Sequence, residues 1–396
     1  MNRTRPNRRL PFSAPLIETD ADAEEPPGPS RPSRSFASPG AELTTLPSKR
    51  VRATSLALPL QVDPSPVVEI PRRVRRAPIR YTDLSEVEVV VLYSLALGLE
   101  RGREQDVIAD QETAQVAESV GKALEGEVGA VHLVPVWDDL PGALAGYDPR
   151  RHVVFNLVES LGGRAFSEPE AIRQMRAMGF NHTGVGYQTL RRSNNKLLTK
   201  RLLVSEGLPT PPFQVFHSLR DRKCTVQLPA IVKPVAEGGS FGITQDSVVR
   251  DEQALYDQVD VILKTYHQPA LVETYIPGRE LNVALWGASQ PEILPISEIV
   301  FTWTDDPLKQ IVTFDAKWVA DSIEYRQTPG ICPADLTPED QANVEAAALQ
   351  VYRILAMRGV SRIDMRLHQG TPYILEVNCN PDLAPDAGFF RSAAAA

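Results

Sequence analysis

The chain has 396 residues, of which 42 % are hydrophobic, an ordinary composition for a globular protein of two or three domains. No run approaches the roughly 18 consecutive apolar residues of a membrane span, and the amino terminus lacks the apolar core of a secretory signal, so we expect a cytoplasmic protein without a membrane partner. The three cysteines, Cys224, Cys332 and Cys379, lie far apart without a CxxC pair, which supports neither a disulfide framework nor a zinc site.

The net charge of −8 is unevenly distributed along the chain. Residues 1–80 carry 14 Arg and Lys against 8 Asp and Glu, which gives them a charge of +6 and leaves −14 for the other residues. The negative charge of this larger part argues against nucleic acid as a partner. The same residues hold 14 of the 34 prolines without a period of 2 or 3.6, so we predict a disordered tail rich in Pro, Arg and Ser over residues 1–84. Its segment PRRVRRAPIR is a candidate docking site for a partner, and the simpler interpretation is a solvated tail.

From residue 85 onwards, strand-like runs alternate with helical ones. VEVVVLY, AVHLVPVW and HVVFNLV are apolar enough to be buried strands, and ETAQVAESVGKAL between the first two has helical spacing. A further helix is expected near residues 168–178, after a loop at Gly162 and Gly163. This alternation predicts a parallel, doubly wound α/β domain over residues 85–190.

A second unit is predicted over residues 191–396. It opens with one basic amphipathic helix in RRSNNKLLTKRLLVSEGLPTPP, which Gly207 ends. The strand PAIVKP, the loop VAEGGSFG, the helix DEQALYDQVDVILKTY and the strands ALVETYI and ELNVALWG follow. The best-defined helix has Thr337 as its N-cap and Pro338 at its first position, with Gly359 as its stop.

Near the carboxyl terminus, a predicted hairpin places carboxylates on one face. SRIDMRL and YILEVN alternate, and a three-residue loop at residues 369–371 sets Asp364 opposite Glu376 and Arg362 opposite Asn378. Opposed side chains have Cβ atoms about 4.5–5.5 Å apart, so two carboxylates repel there unless a cation lies between them. An all-oxygen set favours Mg²⁺, and the alternative is a solvated acidic face.

The segment IVKPVAEGGSFGI places Lys233 before a glycine-rich loop. Glycines let backbone N–H groups approach a phosphate and Lys233 adds a positive charge, although a plain turn is the alternative. ATP and a reacting carboxylate together bring about five negative charges, which metal ions and fixed cations neutralise. Lys196, Lys233, Lys317 and Arg362 are the candidates for this role.

The order of these motifs resembles the ATP-grasp superfamily and, within it, the D-alanine–D-alanine ligases, over residues 88–390. The most specific match is RIDMRL followed by ILEVNCNP, and FNLVES, TGVG with NNK, GLPTPP, IVKPVAEGGS, VETYIPGREL and FDAKW occur in the family's order. The resemblance implies a Rossmann-like pre-ATP-grasp domain followed by an ATP-grasp domain. The latter would consist of two α+β parts, an ATP-lid subdomain at 191–280 and a metal-binding subdomain at 281–396.

The resemblance also implies roles for individual residues. Glu273 and the backbone near Ile276 would hold the adenine of ATP, and Glu280 the ribose. Asp364, Glu376 and Asn378 would carry two Mg²⁺ ions, with Mn²⁺ as an alternative. The implied catalytic residues are Arg362, Lys317 and Ser240. The implied ATP-binding residues are Lys196, Lys233, Glu237, Gly238, Gly239, Ser240, Glu273, Tyr275, Ile276, Glu280 and Lys317.

The reaction implied by the resemblance joins a small-molecule carboxylate to an amine through an acyl phosphate, and a homodimer is a family expectation. Two other interpretations stay open. One is an ATP-grasp ligase that modifies a peptide or natural-product precursor, with the tail recruiting the substrate. The other is a nucleotide-binding scaffold without turnover. A phosphate-release assay separates a ligase from a scaffold.

Several positions depart from the family pattern and suggest a changed second substrate. Gly239 stands where relatives have serine, Trp318 where they have tyrosine and Asp382 where they have glycine, and the hydroxyl that receives the second carboxylate is replaced near Ala387. Asp382 and Asp386 add negative charge, so we expect an amine-bearing or cationic second substrate.

Two further features follow from the resemblance. The acid that holds the first substrate's amine lies among Gln111, Glu112 and their neighbours. The family continues into another helix where this chain stops at RSAAAA, so a truncated carboxyl terminus is one expectation.

Overall fold

The structure of the protein is a computed structural model that describes residues 83–396 except 96, 99, 104, 105 and 222. The described residues belong to one compact unit. The tail predicted for residues 1–84 and its docking segment lie outside the described residues, apart from the last two positions. Within the described part of the chain, no helix is both long enough and apolar enough to cross a bilayer.

The first sheet is parallel, as predicted. It contains β1 (Glu88–Ser94), β2 (Ala130–Val136), β3 (His152–Leu157) and β4 (Asn181–His182), in the order β2-β1-β3-β4. Its helices are α1 (Val107–Leu124), α2 (Leu140–Leu144) and α3 (Glu168–Met178).

Alternate residues of β1 point to opposite faces of this sheet. Val90 and Leu92 join the core that contains α3, whereas Val89 and Val91 pack with α1. The doubly wound arrangement of the sheet is therefore confirmed.

The basic segment that follows forms two helices, so the prediction of a single helix is wrong. α4 (Tyr187–Ser193) ends before Asn194, and α5 (Lys196–Ser205) begins after Asn195. The backbone of Asn195 is extended, with a φ of −107°, and its side chain accepts a hydrogen bond from Leu198 N at 3.1 Å. This N-cap restarts the helix and places Lys196 in its first turn.

A second, antiparallel sheet has its own core. It contains β5 (Phe213–Phe216), β6 (Ala230–Pro234), β7 (Val248–Val249) and β8 (Ala270–Thr274), in the order β5-β8-β6-β7. Helix α6 (Glu252–Thr265) covers it, and Val232, Val259 and Ile262 are buried between them. Strands β6 and β8 and helix α6 match the predicted elements.

The third sheet is antiparallel and shares a core with the first one. It contains β9 (Arg279–Trp286), β10 (Glu292–Ile293), β11 (Ser297–Ile299), β12 (Gly330–Ile331), β13 (Ser361–His368) and β14 (Thr371–Asn378), in the order β12-β11-β9-β13-β14 with β10 beside β9. Its helices are α7 (Phe314–Trp318), α8 (Ile323–Arg326), α9 (Pro338–Ile354) and α10 (Gly388–Ala395). Because this core continues into the first sheet, the boundaries at residues 190 and 280 stay predictions.

Helix α9 begins as predicted and ends earlier than predicted. Thr337 is its N-cap and accepts a hydrogen bond from Asp340 N at 3.1 Å. The helix ends at Ile354, and Ala356 takes the left-handed conformation with a φ of 49°, so Gly359 is not its stop.

Gly278, in the connection between β8 and β9, is expected to be sensitive to substitution. Its φ is +127°, and a Cβ there would lie 2.3 Å from the carbonyl oxygen of Leu367. Gly278→Ala should therefore lower the free energy of unfolding by about 2–4 kcal/mol, as measured by chemical denaturation. The matched control is Gly146→Ala, where a Cβ meets open space and the change should stay within about 0.5 kcal/mol. Equal effects of the two substitutions would contradict the strain at Gly278.

Candidate active site

One large cavity brings together all the residues that the sequence predicts for the site. Its volume is about 610 Å³, and the glycine-rich loop, α7 and the hairpin of β13 and β14 supply much of its lining. The predicted residues that line it are Lys196, Lys233, Glu237, Gly238, Gly239, Ser240, Glu273, Tyr275, Ile276, Glu280, Lys317, Arg362, Asp364, Glu376 and Asn378.

The open end of the hairpin has the predicted pairing. Asp364 lies opposite Glu376, and Arg362 lies opposite Asn378. Alternation along β13 also holds, because Ile363 is fully buried in the core while its neighbours line the cavity.

The closed end of the hairpin differs from the prediction. His368 pairs with Thr371, so the turn contains only Gln369 and Gly370, whose φ angles are 49° and 75°. Two positive φ angles are typical of the tightest hairpin turns. A β-bulge just before Met365 then shifts the register by one residue. The predicted three-residue loop is wrong, and the bulge compensates for the missing residue.

Asp364 is surrounded by N–H donors. Arg362 donates to its carboxylate from Nε at 2.7 Å and from Nη2 at 2.9 Å. The amides of Asn282 and Asn378 donate to it at 2.7 and 2.9 Å. Burial alone would lower the pKa of Arg362, but Asp364 beside it raises that pKa above its ordinary value. Arg362 therefore stays charged.

Glu376, across the hairpin, has a different cation. Lys196 Nζ lies 2.7 Å from its Oε1. Burial raises the pKa of Glu376, but Lys196, Lys233 and Arg362 outweigh burial and keep that pKa below its ordinary value. Each of the two opposed carboxylates is thus paired with a fixed cation of the protein, and a metal ion between them stays a prediction.

A buried carboxylate holds two lysines beneath the cavity. Glu273 is 1 % exposed and forms ion pairs with Lys200 and Lys233. Burial raises the pKa of Glu273, but the two lysines lower it below its ordinary value. Burial lowers the pKa of Lys200 to about 8, although Glu273 opposes this shift. Glu273 thus positions Lys233, and its contact with adenine stays a prediction.

Glu280 is held in a similar way on β9. Arg366 Nη2 donates to Glu280 at 2.7 Å, and Nη1 donates to Gly278 O at 3.0 Å. Burial raises the pKa of Glu280, and Asp364 nearby adds to this effect, while Arg366 opposes it. The arrangement fixes the carboxylate at the cavity wall, where its predicted contact with ribose stays a prediction.

The glycine-rich loop is attached to α7. Gly239 and Ser240 both have positive φ angles, 57° and 62°. Ser240 Oγ donates to Val312 O at 2.9 Å, and Trp318 Nε1 donates to Gly239 O at 2.7 Å. Lys317 Nζ lies 4.5 Å from the centre of the Trp318 ring. The predicted loop and Lys317 are therefore next to each other.

Three carboxylates approach the cavity beside Lys317. Asp382 lies 3.9 Å from Lys317 Nζ, and Glu112 and Asp386 also line the cavity. Burial raises the pKa of Glu112, and the charges of Asp382 and Asp386 raise it further, while Lys317 opposes them. Among the candidates for the first substrate's acid, Glu112 lines the cavity, whereas the side chain of Gln111 lies outside the described residues.

The sequence interpretation assigned no role to three residues that position the site. Asn282 lies two residues after Glu280 on the same strand, so alternation along β9 indicates its direction. Arg366 likewise shares a face with Asp364 on β13. Lys200 lies one helical turn after Lys196, a spacing that places both on one face of α5.

Comparison with known proteins agrees with this geometry. A family model described as the D-ala D-ala ligase C-terminus matches residues 202–396. The D-alanine–D-alanine ligase of Cupriavidus taiwanensis is 30 % identical over 251 residues, which cover 60 % of this chain and 72 % of the relative. An uncharacterized protein of Sinorhizobium fredii, y4sG, is 31 % identical over 243 residues, which cover 61 % of this chain and 69 % of the relative.

A solved structure shows the same fold. The D-alanine–D-alanine ligase of Bacillus anthracis, crystallised in complex with ATP, has a TM-score of 0.57 at 18 % identity, over 78 % of this chain and 91 % of that chain. The fold and the sequence relatives place the chain in the ATP-grasp class, as the motif order predicted. Within that class, the chain belongs to the D-alanine–D-alanine ligase family.

The pKa of Lys200 predicts a pH dependence of stability. The folded protein releases this proton near pH 8, whereas an unfolded chain keeps it up to about pH 10.5, so stability due to Lys200 rises with pH between these values. In this window the parent should gain roughly 2–3 kcal/mol relative to Lys200→Met, as measured by denaturation at several pH values. Lys264→Met, on the exposed face of α6, should keep the parent's pH profile. If the difference in free energy of unfolding between the parent and Lys200→Met did not change with pH, the lowered pKa of Lys200 would be contradicted.

Proposed function

We propose that the protein joins a small-molecule carboxylate to an amine, with ATP as energy source, through an acyl-phosphate intermediate. One observation carries the proposal: several fixed cations line the same cavity as a pair of carboxylates and an amide. The cations are Lys196, Lys233, Lys317 and Arg362. Phosphoryl transfer depends on positioning and on neutralising charge, and these side chains supply both.

In the proposed reaction, a carboxylate oxygen of the first substrate attacks the γ-phosphorus of ATP, and the bond to the bridging oxygen breaks to release ADP. The amine nitrogen of the second substrate then attacks the acyl carbon, and phosphate leaves as the amide forms. No side chain of the protein acts as a nucleophile. The glycine-rich loop and the lysines hold the phosphates, and their positions are kept by Glu273, Glu237 and Trp318.

Arg362 is the residue proposed to stabilise the oxyanion of the tetrahedral intermediate. Asp364 occupies its Nε and one Nη2 hydrogen, which leaves the other N–H groups of the guanidinium for substrate. A guanidinium fixed in this way needs no reorganisation when charge develops on the reacting oxygen. The bond to Asp364 therefore makes Arg362 a rigid donor.

Magnesium fits the donor set of the hairpin. Asp364, Glu376 and Asn378 offer oxygen ligands, and burial raises the pKa of the neighbouring Cys379 thiol to about 12, so that it stays protonated and unsuited to a softer metal. The amide of Asn378 donates to Asp364 from its nitrogen, and a half-turn of that amide presents its oxygen instead. Two Mg²⁺ ions, or Mn²⁺, would neutralise phosphate charge there.

The second substrate is proposed to be an amine with a further positive charge or amino group. Asp382 and Asp386 stand with Glu112 at one side of the cavity, where burial raises the pKa of Glu112 and the two aspartates raise it further, against the opposing charge of Lys317. A cationic acceptor would relieve this repulsion, whereas the carboxylate of D-alanine would increase it. The acidic side of the cavity therefore supports a change of acceptor relative to D-alanine.

A phosphate-release screen that crosses carboxylates with amines tests the function. We expect release only when both substrates are present, and faster release with cationic amines than with D-alanine. Arg362→Gln should lower kcat by about 10²–10³-fold, because it removes a donor to the oxyanion. The matched control is Arg353→Gln, on the exposed face of α9, which should leave kcat unchanged.

Two outcomes would overturn parts of the proposal. Nucleotide binding without phosphate release under any pair of substrates would favour the scaffold interpretation. Turnover with D-alanine as the sole acceptor would reject the change of second substrate while leaving the ligase activity in place.

A further inference from the structure

Three potential metal ligands meet near the amino-terminal ends of three strands of the first sheet. Glu88 begins β1, His152 begins β3 directly beside it, and His132 lies near the start of β2. In contrast, Glu159 and Ser160, which follow the carboxyl end of β3, line the large cavity. The cluster is therefore separate from the proposed active site.

The separations between the Glu88 oxygen and the two imidazole nitrogens are close to those of a tetrahedral metal site. Glu88 Oε2 lies 3.1 Å from His152 Nε2 and 3.6 Å from His132 Nε2. Ligands at 2.0–2.1 Å from a tetrahedral ion are about 3.3–3.4 Å apart, which lies between these two distances. One ligand atom from each of the three residues lies within 4.8 Å of the other two. A small ion can therefore contact all three with little movement.

Among the described residues, the imidazole of His132 lacks a hydrogen-bond partner for its Nε2 atom. Its Nε2 atom is buried and makes no hydrogen bond to any residue in the described part of the chain. An unpaired buried nitrogen costs free energy, and a metal ion at the centre of the cluster would satisfy it.

Surrounding groups hold the three ligands in place. His152 Nδ1 lies 2.9 Å from Asp148 O, and donation to that carbonyl leaves the Nε2 lone pair facing Glu88. Arg151 pairs with Glu88 Oε1, the oxygen that does not face the histidines. The ring of Tyr147 packs edge-on against both imidazoles, with centroids 5.3 and 5.1 Å away.

The same contacts allow a state without metal. Asp148 N lies 3.1 Å from His152 Nδ1, and in that tautomer the Nε2–H of His152 donates to Glu88. This alternative satisfies His152 and Glu88, but Nε2 of His132 then has only a long contact of 3.6 Å with Glu88 Oε2 and no hydrogen bond within the described residues. A metal ion satisfies all three ligands at once.

We propose that Glu88, His132 and His152 bind one divalent transition-metal ion of the zinc type, with water as the fourth ligand. Two imidazoles and a carboxylate suit zinc, whereas magnesium prefers oxygen ligands alone. The ion would join the beginnings of three adjacent strands. The site contains no cysteine, and its ligands are too far apart in sequence to form a short motif.

Zinc titration of the full-length chain without an affinity tag tests the proposal. Saturating Mg²⁺ in all samples occupies oxygen sites such as the hairpin, and calorimetry gives affinity and stoichiometry. Co²⁺ serves as a second probe, because its visible spectrum distinguishes four-coordinate sites. The variants are His132→Gln and His152→Gln, and the matched control is His217→Gln, an exposed histidine on a loop.

We expect one zinc ion per chain and Co²⁺ bands typical of four-coordinate sites. The affinity for zinc should be at least tenfold weaker in His132→Gln and His152→Gln than in the parent or His217→Gln. Zinc should raise the thermal midpoint of the parent by roughly 5 °C and that of His132→Gln by much less. If His152→Gln fails to fold, His132→Gln is the informative variant, because His132 is partly exposed. Absence of stoichiometric zinc binding, or equal affinity in the parent and His132→Gln, would overturn the proposal.

Discussion

Two neighbouring carboxylates at the open end of the β13–β14 hairpin are held together by cations from different parts of the chain. Arg362 binds Asp364 from the same strand, and Lys196 reaches Glu376 from α5. Burying either charge without its partner would cost several kcal/mol, so the position of α5 and the register of the hairpin depend on each other. The break between α4 and α5 is what brings Lys196 to this point.

The same constraint organises the rest of the cavity. Glu273 holds Lys200 and Lys233 beneath it, and Arg366 holds Glu280 at its wall. Because these charges are paired before any substrate arrives, their positions are fixed by the fold. A site of this kind favours a reaction in which charge moves between bound substrates, which is the chemistry proposed for this member of the ligase family.

Periodicity predicted strands β1 to β3, β6, β8, β9, β13 and β14 and helices α1, α3, α6 and α9, and motif order predicted a set of residues that the fold brings to one cavity. They failed where the conformation of a single residue sets the start or end of a helix. Asn195 restarts a helix within one basic segment, and Ala356 takes a left-handed conformation before the expected glycine. In the hairpin, the turn at Gln369 and the bulge are two departures that cancel, so the predicted pairing of Asp364 with Glu376 survived.

Other features depend on contacts between distant residues and left little signal in the sequence. Lys200 on α5 is buried beside Glu273, which comes from β8, and the cluster of Glu88, His132 and His152 forms only when three parallel strands align. Alternation and helical spacing give the direction of such side chains, but the identity of the partner depends on the tertiary fold.

The central functional claim is that Asp364 and Glu376 hold the magnesium that accompanies ATP. The most direct test is the affinity for a non-hydrolysable ATP analogue, determined by calorimetry with magnesium and with a chelator. The account predicts that magnesium tightens binding at least tenfold in the parent, and that the double variant Asp364→Asn with Glu376→Gln loses this difference. Affinity that is unchanged by the chelator and by both substitutions would contradict it.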